Sequence, residues 1–95
     1  MRCAPDPFTP DGDGVDDVLE ILVLLPAVRR VVVFDLRGDP VRSLEFVEAG
    51  GRVAARWDGT DAQGRPVPPG AWVVVVEPEG AGPPLRQVVG LGRVR

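Results

Sequence analysis

The chain has 95 residues, 44% of them hydrophobic and 26% charged, and a formal net charge of −3, which predicts one domain over residues 1–95 and a folded globular protein rather than a disordered tail. The acidic balance disfavours nucleic acid as a partner, and the longest apolar run, residues 21–28, is far shorter than the roughly 20 residues of a membrane-spanning helix. Because the chain has no His and no Lys, Ser-His-Asp and Cys-His triads, Schiff bases and Walker-type phosphate sites are excluded, and we expect a protein that is not an enzyme.

Seven short strands are predicted along the chain, because Val-rich runs alternate with turns built from Gly, Pro and Asp. No long segment repeats its apolar positions with the period of a helix without an intervening Pro or Gly. In chain order the predicted strands are an edge segment near 3–8, and then 18–25, 30–36, 41–47, 52–57, 72–77 and 85–91. The chain is therefore predicted to be all-β.

Two of these runs indicate how the strands pack. Residues 52–57 alternate, with Val53, Ala55 and Trp57 on one face and two arginines on the other, which is typical of a strand with one buried and one solvated face. Residues 71–76 are apolar on both faces, which predicts a central strand.

Two turn signals connect the strands. Residues 36–41 predict a hairpin in which Gly38 takes a positive φ. Residues 61–66 predict a second turn, after which three prolines keep the chain extended and unpaired. Short strands at regular intervals, joined by such turns, favour an antiparallel sandwich of two sheets over a parallel sheet.

Three blocks occur in order along the chain: PFTPDGDGVDD at 7–17, VFDLRGDPVRSL at 33–44 and WDGTDAQGRPVPPG at 57–70, together 37 residues. In combination they resemble the immunoglobulin-like domain of the flagellar hook-capping protein and the related C-terminal modules of bacterial secreted and gliding-motility proteins. The chain departs from that pattern at Trp72, where the family usually has Tyr, and at Asp11 and Asp16, where Asn is common.

The resemblance implies an immunoglobulin-like antiparallel β-sandwich of about seven strands. It also implies a non-catalytic structural module at the C-terminus of a larger exported bacterial protein, serving in surface attachment or as a sorting signal. Such a module is extracellular or at the cell surface, with the export signal upstream in the parent chain. Its partners are then the other domains of that chain and the cell-surface or secretion machinery.

The acidic loop at residues 11–17 is the one group of residues in the sequence that indicates a binding site. Ca²⁺ takes roughly six to eight oxygens from carboxylates and backbone carbonyls. Asp11 and Asp13 can project to one side of a loop that glycines allow to curl, and the Val15 carbonyl with Asp16 or Asp17 can complete one half of a site. These five residues are the predicted calcium ligands; turns whose carboxylates are solvated or paired with Arg are the alternative.

Two other functions stay open at this point. A carbohydrate-binding accessory domain would stack a sugar on an exposed indole, although Trp57 and Trp72 both lie in apolar strand patterns that favour the core. A strand-exchanging assembly subunit would self-associate through the N-terminal edge segment near 3–8. Asp58 and Asp61 are expected to hydrogen-bond within their own turn rather than to form a glycosidase pair.

Overall fold

A computed structural model describes residues 1–10, 17–25 and 27–92. These ranges contain no helix long and apolar enough to cross a membrane. The strands within the same ranges are β1 (Arg2–Ala4), β2 (Leu19–Val23), β3 (Val28–Phe34), β4 (Pro40–Leu44), β5 (Phe46–Ala49), β6 (Arg52–Trp57), β7 (Gly70–Pro78) and β8 (Leu85–Leu91).

The strands form two four-stranded antiparallel sheets. The first sheet has the order β1-β2-β6-β5, and the second sheet has the order β4-β3-β7-β8. When β1 to β8 are read as A, B, C, C′, D, E, F and G, the two sheets are ABED and C′CFG, which is the immunoglobulin order with C′ added to the CFG sheet. The predicted all-β immunoglobulin-like sandwich is confirmed, with eight described strands instead of about seven.

The additional strand comes from the segment predicted as one strand over 41–47. The chain leaves β4, which pairs with β3 in the second sheet, and continues as β5, which pairs with β6 in the first sheet. Only Glu45 separates the two strands. The single strand predicted over 41–47 was wrong, because one residue suffices for this change of sheet and no Gly or Pro marks it in the sequence.

The N-terminal edge segment also differs from its prediction as one strand near 3–8. Cys3 lies opposite Ile21 in the first sheet, whereas Phe8 forms a parallel bridge to Leu91 at the end of the second sheet. There the Phe8 N–H donates to the Gly90 carbonyl at 3.0 Å, and the Gly92 N–H donates to the Phe8 carbonyl at 2.8 Å. The prolines between the two pairings have no N–H for a ladder bond, so the chain changes sheets at them.

The core lies between the two sheets and follows the two-residue period of the strands. In β6 the predicted inward face of Val53, Ala55 and Trp57 is buried, as is the matching face of β2. Fully burying one such side chain contributes about 1.5–3 kcal/mol. The second sheet contributes the same kind of side chain to this core: Val31, Val33, Val74, Val76, Val89 and Leu91.

The predicted hairpin after β3 is confirmed. The Asp35 N–H donates to the Asp39 carbonyl at 3.0 Å, and the Gly38 N–H donates to the Asp35 carbonyl at 3.1 Å. Gly38 has a φ of 92°, which glycine adopts without the steric cost that a Cβ would bring. The hairpin places Asp35 and its neighbours at one end of the second sheet.

Candidate functional site

The predicted calcium ligands lie mostly beyond what the structure describes. Asp11, Asp13, Val15 and Asp16 are outside the described residues; Asp17 is inside them, half-buried, two residues before β2. Among the residues that are described, no three His, Cys, Asp or Glu side chains cluster as a metal site would need. This finding does not cover residues 11–16, so calcium binding stays a prediction.

The indole of Trp57 lies in the core, and the indole of Trp72 lies at its edge. Trp57 is 1% exposed, and its Nε1 donates to the Thr60 carbonyl at 2.9 Å. Trp72 packs against the core while partly exposed, its ring centroid 6.2 Å from that of Trp57, and its Nε1 donates to the Pro68 carbonyl at 3.2 Å. The core position predicted for Trp57 is confirmed, and this indole offers no exposed face to a sugar.

The first and third sequence blocks meet around Trp57. The Phe8 ring lies against the Trp57 indole, with 5.4 Å between ring centroids. Gly59 has a φ of +82°, and a Cβ at that position would lie 2.9 Å from Pro10 Cγ and 3.1 Å from Leu91 Cδ1. Only glycine therefore allows the third block to pack this closely against the N-terminal segment.

The second block joins the same region through Arg42, a residue that the sequence analysis did not single out. Its Nη1 contacts the Thr60 hydroxyl and lies 3.4 Å from the Asp61 carbonyl and 3.5 Å from Asp58 Oδ1. The Thr60 hydroxyl in turn donates to Asp58 Oδ1 at 2.5 Å. We call the contacts among Phe8, Arg42, Trp57, Gly59 and Thr60 the junction, since they tie the three blocks together across the two sheets.

Asp61 organises the turn that leads out of the junction. Its Oδ1 accepts hydrogen bonds from the Gln63 N–H at 2.9 Å and the Arg65 N–H at 3.0 Å. The bond from the Arg65 N–H is the largest of several interactions that together hold the pKa of the Asp61 carboxyl below its ordinary value. Asp58 similarly accepts from the Thr60 N–H at 3.2 Å. Both carboxylates bond within their own turn, as predicted.

A second feature lies on the outer face of the second sheet, away from the core. Cross-strand register places Phe34 beside Val73 and Val73 beside Val88; the next row contains Val32 and Val75. Of these side chains, Phe34, Val73 and Val75 line the floor of a groove of about 550 Å³, and Val88 adjoins Val73 on the same face. We call this groove the outer groove. Residues of the β3–β4 hairpin line one end, and residues of the β7–β8 loop line the other: Leu36, Gly38, Gly80, Gly82 and Pro84.

Charged side chains are distributed unequally along the outer groove. Arg86 lies opposite Val75 in the register, and Arg29 lines the half nearer the β7–β8 loop. Glu77 in this half is bonded to Arg30, with 2.9 Å between Nη2 and Oε2, and that bond is the main reason that the pKa of Glu77 is lowered. The other end carries Asp35.

The sequence signal for the outer groove was the apolar character of residues 71–76 on both faces. It predicted a central strand, and β7 is central, between β3 and β8. A central strand of a two-sheet sandwich is covered by the other sheet on one face only, so the second apolar face was the sequence signal for the outer groove, and the sequence analysis did not use it.

Cys3 carries the one thiol among the described residues, and its side chain is buried in the core. Burial is the main cause that raises its pKa to about 11, which disfavours the reactive thiolate at neutral pH.

Comparison with known proteins gives no further assignment: no family model matches the chain, and no curated protein matches it.

Proposed function

We propose that the chain is a non-catalytic structural and anchoring module, the C-terminal domain of a larger exported bacterial protein that it attaches to the cell surface or marks for sorting. The observation that carries the proposal is the junction. The three blocks that resemble the hook-capping and gliding-motility modules contact one another there, through Phe8 against Trp57 and Arg42 against Thr60. This supports a structural role for the blocks.

The chemistry of the described carboxylates supports the same proposal. A general acid or base needs a pKa near the working pH and access to a substrate proton. Asp35 and Asp61 instead accept hydrogen bonds from backbone N–H groups, which hold both carboxyls ionised with pKa values below the ordinary one. Their bonds stabilise turns, and those turns shape the ends of the sandwich.

Calcium stabilisation is part of the proposal. Asp11, Asp13, Val15, Asp16 and Asp17 are its ligands. Pro10, on one side of this loop, packs near Gly59 in the junction, and Leu19, soon after it, begins β2. A bound ion would therefore fix the connection between the junction and the first sheet.

Calorimetry with millimolar Ca²⁺ and thermal melts with and without a chelator test the calcium site. We expect Ca²⁺ to raise the melting temperature of the wild-type chain and of Asp39→Asn, whose carboxylate is in the β3–β4 hairpin. Asp13→Asn should lose the effect. If the chelator changes nothing in the wild type, calcium is not a ligand, and the structural role is unaffected.

Deletion of this domain from the parent protein tests the anchoring role. We expect the remainder of the parent to keep its own activity while it is lost from the cell surface or fails to be sorted, as measured by cell fractionation. Trp57→Ala, which disrupts the core, should reproduce the deletion, and Val47→Ala, at an exposed position of β5, should not. Unchanged location together with lost activity would contradict the proposal.

A further inference from the structure

The outer face of the second sheet departs from the usual pattern of an antiparallel sandwich. A solvated sheet face normally carries polar side chains at alternate positions. Here the rows across β3, β7 and β8 contain Phe34, Val73 and Val88 and then Val32 and Val75. Val88 is 59% exposed and Phe34 and Val73 are partly exposed, whereas Val32 and Val75 are only 3% and 9% exposed. A contiguous apolar face of this kind, bordered by charged residues, is typical of an interaction surface.

The shape of the surface restricts what can cover it. The hairpin residue Leu36 and the loop residue Pro84 line opposite ends of the outer groove, with the apolar floor between them. A volume of about 550 Å³ is within the usual range of roughly 300–1,000 Å³ for concave binding sites. A concave floor with two walled ends suits a narrow occupant that lies along the strands better than it suits a second flat sheet.

The charges restrict the occupant further. Within the part of the chain that the structure describes, Arg86 has no ion pair, and Arg29 has none within 4 Å although its charge helps to lower the pKa of Glu77, which is bonded to Arg30. A guanidinium group next to an apolar surface is well suited to a carboxylate, which it can bind through two parallel hydrogen bonds. At the far end, Asp35 Oδ1 already accepts hydrogen bonds from the Arg37 and Asp39 N–H groups, and Asp35 Oδ2 lies 3.7 Å from Arg37 Nη2. The remaining hydrogen-bonding capacity of this carboxylate is at Oδ2, to which a hydrocarbon chain cannot donate, whereas an N–H group or a basic side chain of a peptide can.

We propose that the outer groove is the docking surface of this module and that it binds an extended apolar peptide segment, with a carboxylate at the Arg29 and Arg86 end and its positive or N–H-rich end towards Asp35. The inference rests on the proposed anchoring function and names its partner by chemistry. The apolar side chains of the segment cover Phe34, Val73 and Val75, and the carboxylate sets the direction in which the segment lies.

Titration of the full chain with short peptides, followed by NMR amide shifts, tests the inference. The probe is the capped peptide Arg-Val-Phe-Val-Glu, compared with Arg-Val-Phe-Val-Gln and with decanoate, each up to about 1 mM, the weak end of binding. We expect shifts confined to β3, β7 and β8, an affinity about tenfold higher for the Glu peptide than for the Gln peptide, and weak or no binding of decanoate.

Three variants localise the site. Arg86→Gln should remove the preference for the Glu peptide, and Arg52→Gln, at an exposed arginine of the first sheet, should keep it. Val88→Asp, at the exposed side chain that adjoins Val73 of the groove floor, should weaken binding of both peptides; circular dichroism checks that this substitution leaves the fold intact. Binding that is unaffected by Arg86→Gln or Val88→Asp would overturn the proposal, as would shifts centred on the first sheet.

Other occupants give distinct results that also overturn the inference. Binding of decanoate without the peptides would assign the groove to a fatty acid. A dimer detected by light scattering that Val88→Asp dissociates would assign it to a second copy of the chain. If no peptide binds but deletion of the domain still mislocalises the parent protein, the anchoring function stands and only the docking inference fails.

Discussion

The Phe8 ring and the Trp57 indole lie 5.4 Å apart between centroids, with their planes inclined by 54°. Phe8 is fully buried, and its backbone pairs with the end of β8, whereas Trp57 ends β6. The contact therefore joins the N-terminal segment and both sheets at one point. Tilted aromatic pairs at this separation contribute about 0.5–1.5 kcal/mol beyond the area that they bury.

Phe8→Ala should lower the free energy of unfolding by about 3–5 kcal/mol, since it removes this contact and leaves a cavity in the core. Urea denaturation measures the change. Leu24→Ala, at a side chain that is 71% exposed, is the control and should stay within about 0.5 kcal/mol of the wild type. Equal effects of the two substitutions would mean that Phe8 does not pack in the core.

Gly59→Ala should destabilise the fold more than Gly64→Ala. Both glycines have a φ near +80°, so both variants meet the strain of about 1–2 kcal/mol that a Cβ brings in this region. The new methyl group at Gly59 would also meet Pro10 Cγ at 2.9 Å, whereas nothing lies within 4 Å of the corresponding position at Gly64. Overpacking should add about 1–3 kcal/mol to Gly59→Ala alone, and thermal melts of the two variants compare them directly.

If Gly59→Ala and Gly64→Ala have the same melting temperature, the close approach of the third block to Pro10 is absent in solution. Such a result would remove one side of the junction and leave only the strain that both positions share.

The stability of the fold should fall in acid partly through Asp61. The pKa of this carboxyl is held below its ordinary value, first by the hydrogen bond from the Arg65 N–H. A lowered pKa stabilises the folded state above the ordinary value, near 4 for Asp, and this contribution is lost as the pH falls through the lowered pKa. Asp61→Asn should therefore show a smaller drop in melting temperature between about pH 7 and pH 3 than the wild type.

Glu45→Gln is the matched control for that experiment, because it removes one exposed negative charge from the β4–β5 crossing. If the melting temperature of Asp61→Asn falls in acid as much as that of the wild type, the hydrogen bonds to the Asp61 carboxylate do not contribute to the pH dependence of stability.

Cys3 should react slowly with a disulfide reagent in the folded chain. Its side chain is 7% exposed and its pKa is raised to about 11, mainly by burial, from a starting value of 9.0. The raised pKa alone reduces the thiolate fraction at pH 8 by about a hundredfold, and the position of the Cys3 side chain in the core reduces access further. The reaction rate, followed by absorbance in buffer and in concentrated urea, measures how often β1 leaves the sheet.

Strand exchange through the N-terminal edge segment requires that release. If Cys3 reacts as fast in the folded chain as in the unfolded chain, β1 leaves its sheet readily, and the result favours the assembly hypothesis. A slow reaction in the folded chain means that β1 is held in its own sheet.

The local parts of this fold could be predicted from sequence. The alternation in 52–57 fixed which face of β6 is buried, and Gly38 located the hairpin, because each depends on neighbouring residues alone. The change of sheet at Glu45 could not be predicted, since no residue there breaks a strand pattern.

The other features that the sequence analysis did not predict depend on contacts between residues far apart in the chain. Arg42 meets Thr60 across 18 residues of sequence, and no local pattern specifies that contact. The outer groove depends on the register that sets Phe34 and Val73 side by side. Each of these side chains, taken alone, reads as an ordinary apolar strand position. Asp11, Asp13, Val15 and Asp16 lie outside the described residues, so the calcium hypothesis needs solution measurements.

The environment of Trp57 tests most directly whether the three blocks form a buried junction. In a Trp72→Phe variant, Trp57 is the remaining indole, and its fluorescence reports on that position alone. We expect blue-shifted emission that acrylamide quenches weakly in buffer, with both properties lost in concentrated urea. Emission in buffer like that of the urea-unfolded chain, with equally strong quenching, would contradict the account.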